Sequence, residues 1–283
     1  MTVTPGSDPI QRDTDGNFER RFGGLRRLYG VEGAQRIFDA HVVVVGIGGV
    51  GSWSVEALAR SGVRRLTLID LDHVSESNIN RQIHALEPTL GQSKAEAMRE
   101  RVALFHPDCL VDVIDEFVTP DNWPALLGQC LGQSAAAPAA LIDACDQVRA
   151  KSKLAAWAAA TGVLFVTVGA AGGKRRAHAV EVEDLGAVTH DPLLAQLRYR
   201  LRKRHGGARS GRMDVACVFS REAVVPPDAS CAIEGSDGSL NCHGYGSVVS
   251  VTATFGLCAA GWVLNALAGN LKNPLALSRD GKK

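Results

Sequence analysis

A chain of 283 residues, 46% hydrophobic and 22% charged, can bury one large α/β core or two smaller ones, and its composition excludes a disordered tail or a fibrous repeat. Thirty-one basic residues against thirty acidic ones leave a formal charge of +1, so any surface for a polyanion must be a local patch. Aromatic residues make up 5%, which argues against a stacking platform for single strands.

The stretch from Met1 to Asp15 is polar and holds no apolar run of the signal-peptide kind, which predicts a cytoplasmic chain with reduced thiols. The seven cysteines form no Cys-x-x-Cys pair, which argues against a structural zinc. After this leader, Arg20 to Gly30 and the helically spaced Ala34, Ile37 and Phe38 predict a short helical arm. Val42 to Val45 is an unbroken β-branched run that stops at glycine, as a strand covered on both faces does. A helix is predicted over Val50 to Ser61 and a second strand over Leu66 to Ile69. Another helix is predicted from Ser93 to Phe105, with Ser93 as cap and Glu96 as its capping-box partner.

Alternation continues with strands at Leu110 to Ile114, Ala140 to Ile142 and Leu164 to Val168, and a helix from Arg149 to Ala160. Gly128 to Ala139 reads as a surface insertion. Such repetition predicts a Rossmann-like α/β fold with a mostly parallel sheet. Beyond Gly169 the pattern predicts a strand over Ala177 to Val182, a helix over Pro192 to Arg204, a strand over Val215 to Ser220 and a polar loop over Ala229 to Asn241. Val248 to Ala268 has no charged residue and the length of a membrane span. Its Ser, Thr, Gly and Asn content favours a helix buried in the core or in a subunit interface, with membrane association as the minority reading. The expected division is a leader (1–19), a nucleotide-binding core (20–170), a C-terminal extension (171–268) and a tail (269–283).

Chemistry concentrates where strands end. Gly46-Ile47-Gly48-Gly49-Val50-Gly51 follows a strand and opens a helix, which suits phosphate at a helix N-terminus but does not separate NAD from ATP. Asp70, at the end of the second strand, is placed to accept from ribose hydroxyls. Arg81 and Lys94 supply cationic donors for a triphosphate, and Asp146 lies after a strand end where it can hold magnesium. The segment from Arg198 to Arg212 has seven cations and no acid, and with Lys174, Arg175 and Arg176 it is the candidate RNA surface; Arg198, Arg200, Lys203 and Arg204 are its named contacts.

Asp70, Asp72, the Asn78-x-x-Arg81-Gln82 loop, Gly91-Gln92-Ser93-Lys94 and Asp143-Ala144-Cys145-Asp146 together resemble the adenylating domain of the E1-like superfamily. The resemblance implies that Gly46, Gly48, Gly49, Gly51, Asp70, Asp72, Asn78, Arg81, Gln82, Lys94 and Asp146 bind ATP. It also implies that Arg81, Lys94 and Asp146 are catalytic and that Asp146 carries Mg2+. Arg21-Phe22-Gly23-Gly24, Phe117-Val118-Thr119-Pro120, Asp191-Pro192-Leu193, Cys217-Val218-Phe219-Ser220 and Val251-Thr252-Ala253-Thr254 are similar to the bacterial tRNA threonylcarbamoyladenosine dehydratases, from about Arg20 to about Leu267. That narrower resemblance implies ATP-dependent cyclisation of N6-threonylcarbamoyladenosine in tRNA through an acyl-adenylate. It further implies a homodimer, a monovalent cation, and a sulfur-transfer pair of a cysteine desulfurase and its acceptor, with Cys231 as the sulfur acceptor of this chain.

Sulfur-carrier activators of the superfamily carry paired Cys-x-x-Cys zinc ligands that this chain lacks. They also carry an arm arginine that reaches the partner's ATP, where this chain has Gly24, which leaves Arg21 or Arg27 for that role. The competing readings are an activator of a sulfur-carrier or ubiquitin-like C-terminus, a nicotinamide-dependent oxidoreductase, and a non-catalytic nucleotide-binding module.

Overall fold

The computed structural model describes residues 14–131, 137–228 and 245–271. The strands form where β-branched and aliphatic runs end at glycine or aspartate: β1 (His41–Val45), β2 (Arg65–Ile69), β3 (Leu110–Ile114), β4 (Ala140–Asp143), β5 (Leu164–Val168), β6 (Val180–Asp184) and β7 (Ala216–Ser220). They make one seven-stranded sheet in the order β3-β2-β1-β4-β5-β7-β6. All pairs are parallel except β6 with β7, so the extension beyond Gly169 continues the sheet of the core.

Alternate residues of β1 serve the two faces, as the pleat requires. Val42 and Val44 join a core with α1 (Thr14–Phe22), α2 (Gly24–Phe38), α3 (Gly51–Arg60), α4 (Lys94–Ala103) and α8 (Val249–Gly269). Val43 and Val45 join a second core with α5 (Ala125–Leu131), α6 (Val148–Thr161) and α7 (Pro192–Arg204). Buried Glu56 clips the first layer together, ion-paired to Arg60 at 2.7 Å and to Arg101 of α4 at 2.9 Å. Asp191 caps α7, its Oδ1 accepting from Leu194 N at 3.0 Å.

α8 is long and apolar enough to cross a membrane, yet it packs as a core helix against α2, α3 and the sheet. Val251, Phe255, Ala259 and Val263, one helical stripe, are fully buried within the chain. A side chain at Gly256 would collide with Val50 O, and the Gly256 carbonyl accepts from Ser54 Oγ at 2.9 Å, so α8 touches α3 backbone to backbone. This self-burial leaves Val249 and Leu257 as its exposed apolar residues, together with Val248 just before it.

Three local expectations need correction. Ser93 starts α4 without a side-chain cap bond, because its hydroxyl reaches Asp115 Oδ1 at 3.4 Å and Glu96 pairs with Arg99 at 2.5 Å. The strand expected from Ala177 begins at Val180, since Ala177–Ala179 form a 3-10 turn. The expected insertion from Gly128 starts inside α5, whose Leu126 and Leu127 are buried; residues 132–136, like the loop from Ala229 to Asn241, lie outside the described residues.

At the C-terminal ends of β4 and β5 a fully buried ion pair joins Asp143 to Lys151 of α6 at 3.2 Å. Lys151 Nζ also donates to Thr167 Oγ1 at 3.0 Å and to Val168 O at 2.9 Å, while Thr167 Oγ1 donates to Asp143 Oδ2 at 2.7 Å. Burial opposes the ammonium most strongly, but the charge and hydrogen bond of Asp143 together with Cys145 and Cys217 hold the Lys151 pKa above its usual value. Replacing Lys151 with Met leaves a buried carboxylate without its counter-charge, and should cost about 3–5 kcal/mol in urea unfolding. Adding Asp143→Asn to that variant should recover much of the loss, since both charges are then gone; a cost under about 1 kcal/mol for Lys151→Met would show that the pair carries little of the fold.

Candidate functional site

The chain leaves β1 toward β2 on one side and reaches β4 on the other, so the crevice between the ends of β1 and β4 is the switch point at which α/β sheets bind ligands. The glycine loop fills it. Gly46 has φ 86°, and a Cβ there would lie 2.9 Å from the Ala144 carbonyl and Cys145 N. A Cβ on Gly51 would overlap Gly46 O, so this glycine is what lets α3 start against the strand. Gly48 faces open space, as close approach by a phosphate needs, and Gly49 lies under the aliphatic stem of Arg81, where an added Cβ would come within 3.2 Å of Arg81 Cγ.

Asp70 sits at the end of β2, nearly buried, its two oxygens accepting from Ile47 N at 2.5 Å and Asp72 N at 2.9 Å. Burial pushes its carboxyl pKa up, while these N–H groups and Lys94 pull it down. Backbone pairing of Asp72 and Val74 with Lys94 and Gln92 brings Lys94 beside this strand end, where its Nζ bonds Asp72 Oδ2 at 2.7 Å. The next loop folds over the glycines. Asn78 is buried and turned inward on its own backbone, its Oδ1 accepting from Ser75 N at 3.1 Å. Arg81 donates to Ser77 O at 2.6 Å and Asn80 Oδ1 at 2.9 Å, yet its buried Nε has no acceptor, and buried Gln82 Oε1 has no donor, among the described residues.

Asp146 stands exposed between β4 and α6, beyond the Asp143–Lys151 pair. Beside it Cys145 Sγ donates to Asp143 Oδ1 at 3.0 Å; burial and that carboxylate push the thiol well above its usual pKa, so it is no nucleophile. The sequence thus brings Gly46 to Gly51, Asp70, Asp72, Arg81, Lys94 and Asp146 to one edge of the sheet. Among the described residues no three His, Cys, Asp or Glu side chains cluster as metal ligands. Cys231 and Cys242 lie outside the described residues.

The basic segment divides. Arg198 points inward, bonding Leu185 O at 3.0 Å and Val188 O at 2.8 Å, and so is spent on the backbone. Lys203 lies over the exposed ring of Tyr199, and Arg200 and Arg204 open onto a recess against α6. Lys174 is buried rather than superficial, its ammonium donating to Ser220 O at 2.9 Å and Glu222 O at 2.8 Å, with burial pushing its pKa down. In the arm, Arg21 is committed to Phe105 O at 2.6 Å, whereas exposed Arg27 has no bonding partner among the described residues.

Sequence reasoning passed over Lys151, named Asp191 only within a motif, and gave His84 no role. Asp191 Oδ2 accepts from Ala170 N at 3.0 Å just beyond β5, and burial pushes its carboxyl up. His84 follows the Arg81-Gln82 loop, almost fully buried, with neither ring nitrogen partnered among the described residues. Burial, then the charges of Lys94 and Arg101, lower its pKa from the usual 6.5 to about 4. The unfolded chain therefore binds a proton that the folded chain refuses between those values. Its contribution to stability is complete above pH 6.5 and is lost as pH falls toward 4, at about 1.4 kcal/mol per pH unit. Urea unfolding at pH 7 and pH 5 should show wild type losing about 2 kcal/mol more than His84→Gln over that interval; equal losses would mean the imidazole titrates normally in the fold.

Residues 22–279 match the model of the ThiF family. The tRNA threonylcarbamoyladenosine dehydratase of Escherichia coli strain K12 is 44% identical over 259 residues, covering 88% of this chain and 94% of that protein. The enzyme of the same name from Haemophilus influenzae is 39% identical, covering 89% and 94%. A crystal structure of the Escherichia coli dehydratase in complex with ATP superposes with a TM-score of 0.78 at 41% identity, covering 93% of this chain and 98% of that one. The chain belongs to the ThiF family.

Proposed function

We propose that this chain is an ATP-dependent tRNA dehydratase that cyclises N6-threonylcarbamoyladenosine through an acyl-adenylate. The observation that carries the reading is the convergence of ribose- and phosphate-directed groups, Asp70, Arg81 and Lys94, on the glycine loop at the switch point, in a chain aligned with such dehydratases over nearly their whole length.

Asp70 exchanges its backbone donors for ribose hydroxyls. Lys94 and Arg81 face the triphosphate, whose oxygens give the orphaned Arg81 Nε an acceptor and Lys94 a stronger partner than half-exposed Asp72. A lone exposed carboxylate at Asp146 fits magnesium, which takes one or two protein carboxylates and fills its shell with substrate phosphates and water. Bound there, magnesium supplies charge neutralisation at the phosphates. The threonyl carboxylate attacks the α-phosphorus and pyrophosphate leaves. The neighbouring ureido group then attacks the acyl carbon and expels AMP, for a net loss of one water. The protein positions and neutralises, and no cysteine is required.

The same reading includes a cytoplasmic homodimer. Of Arg21 and Arg27, only Arg27 is without a bonding partner among the described residues and so free to cross to a partner, and Leu28 and Val31 on the same helix are exposed apolar residues suited to that contact.

Lys94→Ala leaves Asp72 half exposed to water, and Asp146→Ala removes a side chain already in solvent, so both variants should fold. Each should lose on the order of a hundredfold or more in turnover, a few kcal/mol of transition-state stabilisation. The assay is incubation with ATP, magnesium and tRNA bearing the threonyl carboxylate, followed by nucleoside mass analysis for loss of one water. Unmodified tRNA, or a carrier protein ending in Gly-Gly, should release no AMP. AMP release with the carrier and none with modified tRNA would replace this reading by carrier activation.

A further inference from the structure

α6 and α7 pack against each other on the sheet face away from α3, α4 and α8, and a recess of about 490 Å³ opens between their polar sides. Arg149 and Lys153 line it from α6, and Arg200 and Arg204 line it from α7. Each pair is spaced i, i+4, so each helix turns two like charges to one stripe, an arrangement that costs stability unless an anion answers it. Among the described residues none of these four cations is in an ion pair, and the buried Nε of Arg200 has no acceptor. Among the described residues Asp121 is the one acid on the lining. His205 at the end of α7 is held below its usual pKa by burial and then by Lys153, Arg200 and Arg204, in keeping with four cations crowding one space.

We propose that this cleft is a binding site for the backbone phosphates of an RNA strand, gripped from both helices at once. The site recruits Arg149 and Lys153, which lie outside the basic segment of the sequence, and it excludes Arg198. It rests on the reading of tRNA as substrate and specifies where the strand lies. Two further observations favour RNA over other anions. Tyr199, one residue before Arg200 on α7 though not on the cleft's lining, is 61% exposed, and the ring face that Lys203 leaves open is one on which an unpaired base can stack. Arg149, the second residue of α6, also stands only three residues beyond Asp146, so the helix enters the cleft directly from the edge of the glycine-loop crevice. A strand held here would deliver an anticodon-loop nucleotide to that edge.

The test is fluorescence anisotropy of a labelled, unmodified RNA anticodon stem-loop over a range of salt concentrations, with wild type, Arg149→Gln/Lys153→Gln, and a matched loss of two exposed charges on the opposite sheet face, Arg20→Gln/Arg99→Gln. The cleft variant should bind roughly tenfold more weakly, with the salt slope reduced by about 0.7–0.9 for each cation removed. Its ATP affinity and unfolding midpoint should be retained, and the opposite-face variant should bind RNA like wild type. Equal weakening by both variants would reduce the cleft to general charge and overturn the proposal. A parallel loss of ATP affinity would make it a nucleotide-phosphate site and overturn the proposal as well. Poly-glutamate is the remaining arm; if it competes as well as RNA at equal charge, an acidic protein surface replaces RNA as the occupant. Failure of the substrate reading looks different: the stem-loop would bind through the cleft, yet tRNA bearing the threonyl carboxylate would emerge unchanged from incubation with ATP and magnesium.

Discussion

The crevice depends on one buried ammonium group. Lys151 reaches from α6 to the ends of β4 and β5, bonding Asp143 and the hydroxyl and carbonyl that terminate the next strand. A parallel sheet ends its strands with carbonyls at the C-terminal edge that have no further strand residue to pair with. A cation placed there satisfies several acceptors with one side chain, at a desolvation cost that only an ion pair with good hydrogen bonds offsets. The loop from Ala144 to Asp146 springs from this knot, and the Ala144 carbonyl is one wall against which Gly46 fits. The glycine turn on one side and the exposed Asp146 on the other thus share a floor.

Around that floor, the groups that would meet a nucleotide are held by internal substitutes. Backbone N–H groups occupy Asp70, and Asp72 occupies Lys94. Such bonds keep the side chains in place without leaving buried charge unpaired, and they are weak enough to exchange because Asp72 is half in water. Among the described residues Arg81 Nε and Gln82 Oε1 lack even these substitutes, so the loop that carries them stores unsatisfied polarity. A site built this way is pre-organised, since ligand binding replaces bonds and requires little ordering of side chains.

Strands and the glycine turn were legible because both depend on local chemistry. Val42 to Val45 has one comfortable backbone state, and Gly46 needs a positive φ that other residues resist. The direction of long side chains was not legible. Lys151 sits in a helix between Ala150 and Ser152 and reads as an ordinary surface lysine. Only the register that sets Asp143 beside Thr167 shows what it is for. Arg198 reads as one more cation in a basic segment, yet the carbonyls of Leu185 and Val188 claim it. Ser93 and Glu96 match a capping box by spacing, but each has a competing partner that sequence cannot rank. α8 posed the opposite problem. Its length and lack of charge admit a membrane, its Ser, Thr, Gly and Asn content favours a core or an interface, and the decision lies in what packs on it, above all the α3 backbone at Gly256.

Helical geometry explains how α6 can serve several ends. Residues two apart on an α-helix lie about 200° apart, and residues four apart share a stripe. Lys151 therefore faces the sheet while Arg149 and Lys153 face away from it, into the cleft with α7. Asp146, just before the first turn, faces neither and stays in solvent at the crevice edge. The helix cannot shift along its axis without pulling Lys151 out of the strand ends, and that anchor fixes the spacing between cleft and crevice. Phosphates gripped at the cleft would then lie at a set distance from the glycine loop. A reaction that closes a ring on one nucleotide of a large RNA needs that fixed distance, because the energy of holding the backbone is useful only if it is transmitted to the reacting carboxylate.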